Sequence, residues 1–356
     1  MALGDRGLMS ISTRVLLLVA LLAIATVLGL YHQPGGRGGG SSTVTIPPHP
    51  RSSAEPNSAG VVFCGKDVKE RVTAIINKAR REAGVPPVKL VDLGLAQGKL
   101  AEMIDEGYFG HCNPRGLLYP LEHPGIVYYY VEENIGMTVG HPLQRFLLEL
   151  ARNHVYSMIY NDEAEHWGHR DSLLDPTNNL VDIACGVSGN RFYLVVYMVK
   201  AWVNWTAPPH YDKGMVSAEG RVTLQSSSLV GVSVYEYKAP HVLSWPVKSG
   251  VEFTCQDYSI GMLYAVVGRG WAPGMWARVI EPAIYEVHGG WFHVSFPLPR
   301  PPNNSTYYVV VFWVKNTLGV KHPYDPSRYR EEIPVGMLVV GGVRGFSRAS
   351  EPLPGG

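Results

Sequence analysis

Three short polar motifs, far apart in the chain, place the strongest constraint on its fold. They are Tyr108–Gly116, which contains His111, Glu132–Ile135, which contains Glu133, and Gly168–Leu174, which contains His169. Each motif is bounded by segments with the residue patterns of helices or strands. Two histidines and an acid in this setting are typical of a fold that brings distant residues together around one cavity.

The order and the residues of these motifs resemble those of the CAP superfamily. This superfamily includes cysteine-rich secretory proteins, antigen 5 proteins, plant pathogenesis-related proteins and prokaryotic relatives. The family pattern is roughly F-x-H-x-[ND]-P-x-G, then G-E-N-I, then G-H-R-x-N-[IL]-L-x-P. This chain departs from it at Glu132, which replaces a glycine, and at Ser172, which replaces an asparagine. The resemblance covers about residues 62–205 and implies an α/β/α sandwich with a central cleft.

The resemblance implies that His111 and His169 project into this cleft and can share a divalent metal ion. Neutral imidazoles suit Zn²⁺, and two of them leave coordination positions open. A catalytic zinc site normally has more than two protein ligands. The alternative is therefore a hydrogen-bonded polar cluster that holds the helices and the sheet together without metal.

Glu133 and Asn134 of the second motif are further candidates for the cleft. Glu133 could fix the tautomer of a histidine or accept a proton from a bound water molecule. A loop tie or a helix cap is its structural alternative. Asn134 is expected to tie loops together beside the cleft.

Many CAP proteins have a second cleft acid on the helix that precedes the second histidine. Glu149 lies on the corresponding predicted helix and is the candidate here. Asp162, Glu163 and Glu165 are closer to His169 in the sequence, so the identity of the second acid stays open.

Residue patterns separate a mixed segment from a segment of strands. Three stretches of helical periodicity (Val68–Ala83, Leu95–Glu106 and Pro142–Tyr160) precede a predicted hairpin that turns at Ser188-Gly189-Asn190. Only short strand-like runs follow Pro208-Pro209, a pattern that predicts a β-sandwich.

The expected fold class is therefore α+β. We expect an α/β/α CAP-like domain over residues 61–205 and an all-β sandwich over residues 206–344. A Pro- and Gly-rich stretch, residues 345–356, is expected to be a disordered tail.

The N-terminus predicts an exported protein. Val15–Tyr31 is a nearly unbroken apolar run that would extend roughly 25 Å as a helix, and Arg6 and Arg14 precede it. Positive charge before the run favours a signal anchor with residues 1–14 in the cytoplasm and a flexible linker over residues 32–60. The bulk of the chain would then lie outside the cell membrane. Ala23-Ile24-Ala25 has the form of a cleavage site, so secretion after cleavage is the alternative.

Charge and composition narrow the function classes. The chain has 356 residues, 46% hydrophobic and 17% charged, and a formal net charge of +1. This composition can build folded cores, and the net charge gives no electrostatic reason to expect nucleic acid as a partner.

Four cysteines, Cys64, Cys112, Cys185 and Cys255, suggest up to two disulfides in an exported chain. No C-x-x-C pair is present, which disfavours a zinc ribbon or a redox motif. We expect at least one bond within residues 62–205, with Cys112 to Cys185 as the first choice and buried free cysteines as the alternative.

Two functional hypotheses follow. The first is a binding module whose cleft holds an apolar, lipid-like or glycan ligand or a surface partner, beside a β domain that acts as a spacer or an adhesion unit. The second is a metal-assisted peptidase or esterase that uses His111, His169 and Glu133. No G-x-S-x-G motif or phosphate-binding glycine loop selects another chemistry, so whether the protein is an enzyme stays open.

Overall fold

Helices and strands alternate through the first part of the chain, whereas strands dominate the second part. The computed structural model describes residues 60–123, 128–140, 143–239, 242–247, 250–255, 261–268, 278–328 and 330–341. The expected cytoplasmic segment, the membrane segment, the linker up to residue 59 and the tail lie outside the described residues. Within the described part of the chain, no helix is both long enough and apolar enough to cross a membrane.

The described helices are α1 (Lys66–Glu82), α2 (Leu95–Asp105), α3 (Tyr119–Glu122), α4 (Leu147–Tyr160) and α5 (Gly168–Leu173). The strands of the first part are β1 (Val61–Phe63), β2 (Lys89–Val91), β3 (Tyr108–Phe109), β4 (Tyr130–Val139), β5 (Leu180–Ser188) and β6 (Arg191–Lys200). The second part contains β7 (Val203–Asp212), β8 (Met215–Val222), β9 (Leu229–Lys238), β10 (Val242–Val247), β11 (Gly250–Cys255), β12 (Met262–Val267), β13 (Arg278–Ile280), β14 (Ile284–His288), β15 (Trp291–Pro297), β16 (Thr306–Lys315) and β17 (Glu332–Val340).

A five-stranded sheet forms the centre of the first part. Its strands run in the order β1-β5-β6-β4, and β2 lies parallel beside β5. Alternate residues of β6 point to opposite faces, as a pleated strand requires. Phe192 and Leu194 pack in the same core as α1 and α4, whereas Tyr193 and Val195 pack in the same core as α2. The first part is therefore the expected α/β/α sandwich.

Each long helix buries an apolar stripe on this sheet. In α1, Val68, Val72 and Ile76 recur every four residues and are buried. The helix ends before Gly84, which takes the left-handed conformation with a φ of 72°. At the other face, the carboxylate of Asp182 accepts hydrogen bonds from the first two backbone N–H groups of α2, which the helix itself leaves unsatisfied.

The second part is a β-sandwich, and this confirms the α+β fold class. One sheet has the order β13-β12-β9-β16-β17, and the other has the order β14-β15-β8-β7. Trp205 contacts both sheets, because its ring packs edge-on against Phe292 and against Phe312 with centroids 5.6 Å apart in each pair. Such aromatic packing fixes how the two sheets face each other.

Strand β7 is a finding that the sequence patterns did not predict, because Pro208 and Pro209 lie within it. Among the described strands it pairs only with β8, at the edge of its sheet, and its register is irregular between Trp205 and His210. Prolines are tolerated in an edge strand with a bulge, because no ladder hydrogen bond is then lost there. The strand begins at Val203, so the boundary expected between residues 205 and 206 falls inside it.

The two parts are in contact through polar and apolar groups. Leu117 and Leu121 pack in one apolar cluster with Val309 and Met337 of the β-sandwich. Strand β3 pairs in parallel with β11, and the Tyr237 hydroxyl donates to the carbonyl of Gly116 at 3.0 Å. The described residues all belong to one compact unit, Val44–Gly356. Whether residues 61–205 fold independently stays a prediction.

The disulfide within the first part joins Cys64 to Cys185. The expected pair of Cys112 with Cys185 is therefore wrong, although Cys112 is itself disulfide-bonded. Cys64 follows β1, which pairs with β5, and this places its Cα 5.2 Å from that of Cys185. Strand pairing, which the cysteine spacing does not reveal, decides the connectivity.

Candidate functional site

His111 lies in the loop after β3, and a buried lysine fixes the backbone of that loop. Lys99 of α2 donates to the carbonyl of His111 at 3.0 Å and contacts the Tyr108 hydroxyl oxygen at 2.9 Å. Burial lowers the pKa of Lys99, and nearby carboxylates, first among them Glu133, oppose this effect. The sequence analysis did not identify Lys99, since a single lysine on an amphipathic helix carries no signal of burial.

The Asn-Pro-x-Gly turn after His111 is held by the side chain of Asn113, which is fully buried. Its Oδ1 accepts from the backbone N–H groups of Arg115 and Leu117 at 3.0 and 3.2 Å. Its Nδ2 donates to Glu102 at 2.8 Å. The motif therefore forms a rigid turn that holds His111 at one side of the cleft.

Glu133 lies on β4 directly opposite Tyr197 of β6. One carboxylate oxygen is 2.8 Å from His111 Nδ1, and the other accepts a hydrogen bond from the Tyr197 hydroxyl. Burial alone would raise the pKa of Glu133, but Lys99 and His111 outweigh it, so the pKa lies below its usual value. Glu133 is therefore an ionised orienting group with both oxygens engaged, in strand β4 rather than in a loop or at a helix cap.

His169 lies in the first turn of α5, where Asp162 holds it. Asp162 Oδ1 is 2.7 Å from His169 Nδ1, while Oδ2 accepts from the backbone N–H groups of His169 and Arg170 at 2.9 and 3.2 Å. The same carboxylate thus caps the helix and fixes the imidazole. His166 and Trp167, just before the helix, have φ values of 51° and 63°, a strained conformation for residues other than glycine.

The structure brings both motif histidines to one cavity. Their ring centroids are 6.4 Å apart, and both rings line a cavity of about 900 Å³. Because a carboxylate engages each Nδ1, Nε2 is the ring nitrogen through which either histidine would bind a metal. Two imidazoles that share one zinc ion at about 2 Å from each nitrogen would need ring centroids somewhat closer than this 6.4 Å separation.

Asn134 and both departures from the family pattern also lie at this cavity. Asn134 is buried and donates to the Ser172 hydroxyl at 3.0 Å, which ties β4 to α5. Glu132 accepts from Lys200 at 2.6 Å and from Asn178 at 2.9 Å. Glu132 and Ser172 therefore both form side-chain hydrogen bonds in the wall of the cavity.

Lys200 is the centre of a buried charged network beside the histidines. Its ammonium group also contacts Asp175 at 2.9 Å and Asn178 at 3.2 Å, and the residue is 3% exposed. Burial alone would raise the pKa of Asp175, but Lys200 and the hydrogen bonds from Thr177 lower it to about 2. Sequence patterns did not identify this network.

Glu149 does not reach the cleft, which corrects the expectation that it is the second cleft acid. It is exposed on α4 and lines a separate surface depression with Arg145 and Arg152. Asp162 is the acid that contacts the second histidine. Glu149 lies on an exposed face of its helix, whereas Asp162 lies in the connection between α4 and α5, close to His169.

The β-sandwich supplies part of the cavity wall. Tyr235, Trp313, His322 and Glu332 line the cavity together with residues of the first part. Next to it, the Arg170 guanidinium lies between the rings of Trp167 and Tyr324, 3.9 and 4.5 Å from their centroids. These cation–π contacts join α5 to the β-sandwich beside His169.

A second group with metal-binding residue types lies apart from the histidine pair. Ligand atoms of Glu102, Glu122 and His123 lie within 4.8 Å of one another. Arg115 contacts both Glu102 and Glu122, at 3.4 and 2.7 Å, and also contacts Glu106. Because the Arg115 guanidinium already contacts these carboxylates, the group is an ion-pair cluster beside the turn.

Replacing Asp162 tests how one carboxylate serves two purposes. In Asp162→Asn, the amide oxygen can keep the two backbone hydrogen bonds while Nδ2 faces His169 Nδ1 as a donor. We expect the helix cap to survive and the imidazole to change tautomer, so that Nε2 becomes protonated. Asp162→Ala should instead lower the free energy of unfolding by about 1–2 kcal/mol through loss of the cap.

Nitrogen-15 NMR of the histidine ring and urea unfolding measure the two effects separately. The Asn variant should change the NMR signature with nearly wild-type stability. Equal stability of the Asn and Ala variants would contradict the capping role of Asp162, and an unchanged tautomer in the Asn variant would contradict its orienting role.

Comparison with solved structures finds a likeness in fold for part of the chain. No protein-family model matches the chain, and no curated protein matches it. A solved structure, the CAP domain of Enterococcal PrgA, matches with 15% sequence identity and a TM-score of 0.29, over 43% of this chain and 72% of that chain. A likeness at this level carries no argument about residues or activity. The α+β fold rests on the α/β/α layers and the β-sandwich described above.

Proposed function

We propose that this protein is an extracytoplasmic binding module whose cleft can hold a divalent metal ion, zinc in the first instance, between His111 and His169. One observation carries the proposal: each histidine is oriented by its own carboxylate, at 2.8 Å for Glu133 and 2.7 Å for Asp162. Carboxylate–histidine pairs of this kind are common at metal sites, because they fix the tautomer that presents a lone pair to the ion. A bound ion would supply a Lewis-acidic contact for a ligand in the cleft.

The cavity wall favours a neutral or cationic ligand. Carboxylate side chains outnumber lysine and arginine six to two in the wall; the acids are Glu132, Glu133, Glu165, Asp171, Asp175 and Glu332, and the bases are Lys200 and Arg330. An anionic lipid headgroup would be repelled by this excess. Tyr130, Tyr235 and Trp313 add aromatic surface, so among the expected ligands a neutral glycan fits best: hydroxyl groups can pair with carboxylates and sugar-ring faces can stack on aromatic rings.

Metal uptake by the purified full-length protein tests the proposal. We expect isothermal titration calorimetry to detect zinc binding by the wild type, and His111→Ala and His169→Ala each to abolish it without unfolding the protein. Asp162→Asn should weaken zinc binding by about 10–100-fold, because it protonates the coordinating nitrogen. His210→Ala is the matched control, since His210 is exposed and outside the cavity.

Two outcomes would contradict the metal proposal. One is a wild-type protein that takes up no zinc at millimolar concentration, and the other is a His169→Ala variant that binds zinc as the wild type does. Binding of neutral oligosaccharides is measured separately, with and without zinc, because a glycan-binding cleft does not require the ion.

A metal-assisted hydrolase remains the second candidate, favoured by the position of Glu133 beside the histidines. Against it, both oxygens of Glu133 are engaged by His111 and Tyr197, so the carboxylate would have to release a partner before it could act as a base. A zinc-dependent turnover of ester or peptide substrates, lost in Glu133→Gln, would favour the hydrolase over the binding module.

A further inference from the structure

Three triplets in the chain match the acceptor pattern for N-linked glycosylation, and the structure distinguishes between them. They begin at Asn204, Asn303 and Asn304. The pattern implies an acceptor on an accessible surface loop, and we add the condition that the hydroxyl of the third residue lies beside the acceptor amide, as in an Asx turn. These two geometric conditions can be checked for each asparagine.

Asn204 meets neither condition. It lies within strand β7, opposite Arg221 of β8, and its side-chain oxygen is buried. The hydroxyl of the third residue, Thr206, donates to Glu219 at 2.9 Å instead of to the asparagine. A strand in a sheet also cannot bend into the active site of a transferring enzyme without losing its backbone hydrogen bonds to the neighbouring strand.

Asn303 meets both conditions. It is exposed in the turn that connects β15 to β16. Its Oδ1 accepts from the backbone N–H of Ser305 at 3.0 Å and from the Ser305 hydroxyl at 2.9 Å. The serine that the acceptor pattern requires is therefore already hydrogen-bonded to the acceptor amide.

Thr306 adds a third donor to the same oxygen and separates Asn303 from Asn304. The Thr306 hydroxyl donates to Asn303 Oδ1 at 2.9 Å, and Thr306 is buried at 1% exposure. For Asn304, Thr306 is the third residue, so its hydroxyl is committed to the neighbouring asparagine. Three donors on Oδ1 withdraw electron density from the Asn303 amide and make the Nδ2 protons more acidic.

We propose that Asn303 is a site of N-linked glycosylation. The sugar donor would be an oligosaccharide linked to a polyprenyl (di)phosphate. Asn303 Nδ2 forms a bond to the anomeric carbon, the bond between that carbon and the phosphate oxygen breaks, and the lipid phosphate leaves with the electron pair. Nδ2 releases one proton to a base of the transferring enzyme. Modification in the cell rests on the proposed extracytoplasmic location, because such donors are used outside the cytoplasm.

Transfer to the folded protein in vitro tests the site independently of location and of the cleft. The purified full-length chain, folded in detergent, is incubated with a purified single-subunit oligosaccharyltransferase and a lipid-linked oligosaccharide. We expect mass spectrometry to find one glycan, on Asn303. Asn303→Gln and Ser305→Ala should each remove it, whereas Asn304→Gln and Asn204→Gln should leave it unchanged. Ser305→Ala distinguishes the two neighbouring asparagines, because it removes the acceptor triplet that begins at Asn303 and keeps the one that begins at Asn304.

The urea-unfolded chain, in which all three triplets are exposed, serves as the comparison. Glycan on Asn204 or Asn304 of the folded wild type would overturn the proposal. So would a folded chain that stays unmodified while the unfolded chain is modified, since that result means the turn does not present its amide. Neither result would bear on zinc uptake by His111 and His169.

Discussion

Replacing Lys200 with methionine is expected to lower the free energy of unfolding at pH 7 by about 3 kcal/mol. Lys200 is buried, and its ammonium group contacts Glu132 at 2.6 Å and Asp175 at 2.9 Å. Without it, two neighbouring carboxylates keep their charges beside each other and lose their cation. The estimate lies at the low end for a broken buried pair because both carboxylates are about one-quarter exposed and can regain water.

The effect should depend on pH in a defined direction. The pKa of Asp175 is lowered to about 2 in the folded protein, so its ionised form stabilises the fold above its ordinary value near 3.8. That stability is lost as the pH falls from 3.8 towards 2. The difference between wild type and Lys200→Met should therefore be largest at neutral pH and should shrink over this range.

Urea unfolding at pH 7 and at pH 3 measures both effects. Lys66→Met is the matched control, because Lys66 forms only an exposed ion pair with Glu70 and its loss should change stability by less than about 0.5 kcal/mol. If Lys200→Met is as stable as the control, the charged network does not stabilise the fold. A deficit that is the same at both pH values would show that lost packing, rather than lost charge, is the cause.

The fold was predictable where one residue pattern dominated. The apolar stripe of α1 predicts a helix, and the run of β-branched and aromatic residues in β6 predicts a strand, without reference to the rest of the chain. Strand β7 was missed because Pro208 and Pro209 oppose a strand unless it lies at a sheet edge, and the edge position is a property of the assembled sheet. The motif around Glu133 was likewise not recognised as part of strand β4.

The candidate site was predictable only as far as motifs could locate it. His111, Glu133 and His169 lie at one cavity, as the three motifs indicated. The buried cations Lys99 and Lys200 carry no such signal, because burial depends on the elements that surround them. The choice of Glu149 over Asp162 failed for a related reason: the turn between α4 and α5 decides which acid faces His169.

The β-sandwich differs most from its expected role. If the β-sandwich were only a spacer, the first part of the chain alone would line the cavity. Trp313, His322 and Glu332, which belong to the second part, also line it. Cleft residues therefore come from both parts of one compact unit, and ligand selectivity should depend on both. No sequence pattern could indicate this, because it arises from the contact of Leu117 and Leu121 with the face of a sheet.

Removing the Cys64–Cys185 disulfide is expected to destabilise the protein by about 4 kcal/mol. The bond closes a chain segment of 121 residues, and long loops lose the most entropy in the unfolded state when they are cross-linked. Both cysteines are buried, so Cys64→Ala/Cys185→Ala avoids the polar groups that serines would bury. Adding a reductant is a poorer test, because it would also open the bond to Cys112.

Peptide mapping and urea unfolding check this prediction together. Digestion without reductant should yield the Cys64 peptide joined to the Cys185 peptide, and the double variant should unfold at a clearly lower urea concentration than the wild type. A Cys112 peptide joined to Cys185 would contradict the pairing. A double variant within about 1 kcal/mol of the wild type would instead show that pairing of β1 with β5 already restricts the unfolded chain, so that the covalent bond adds little entropy loss.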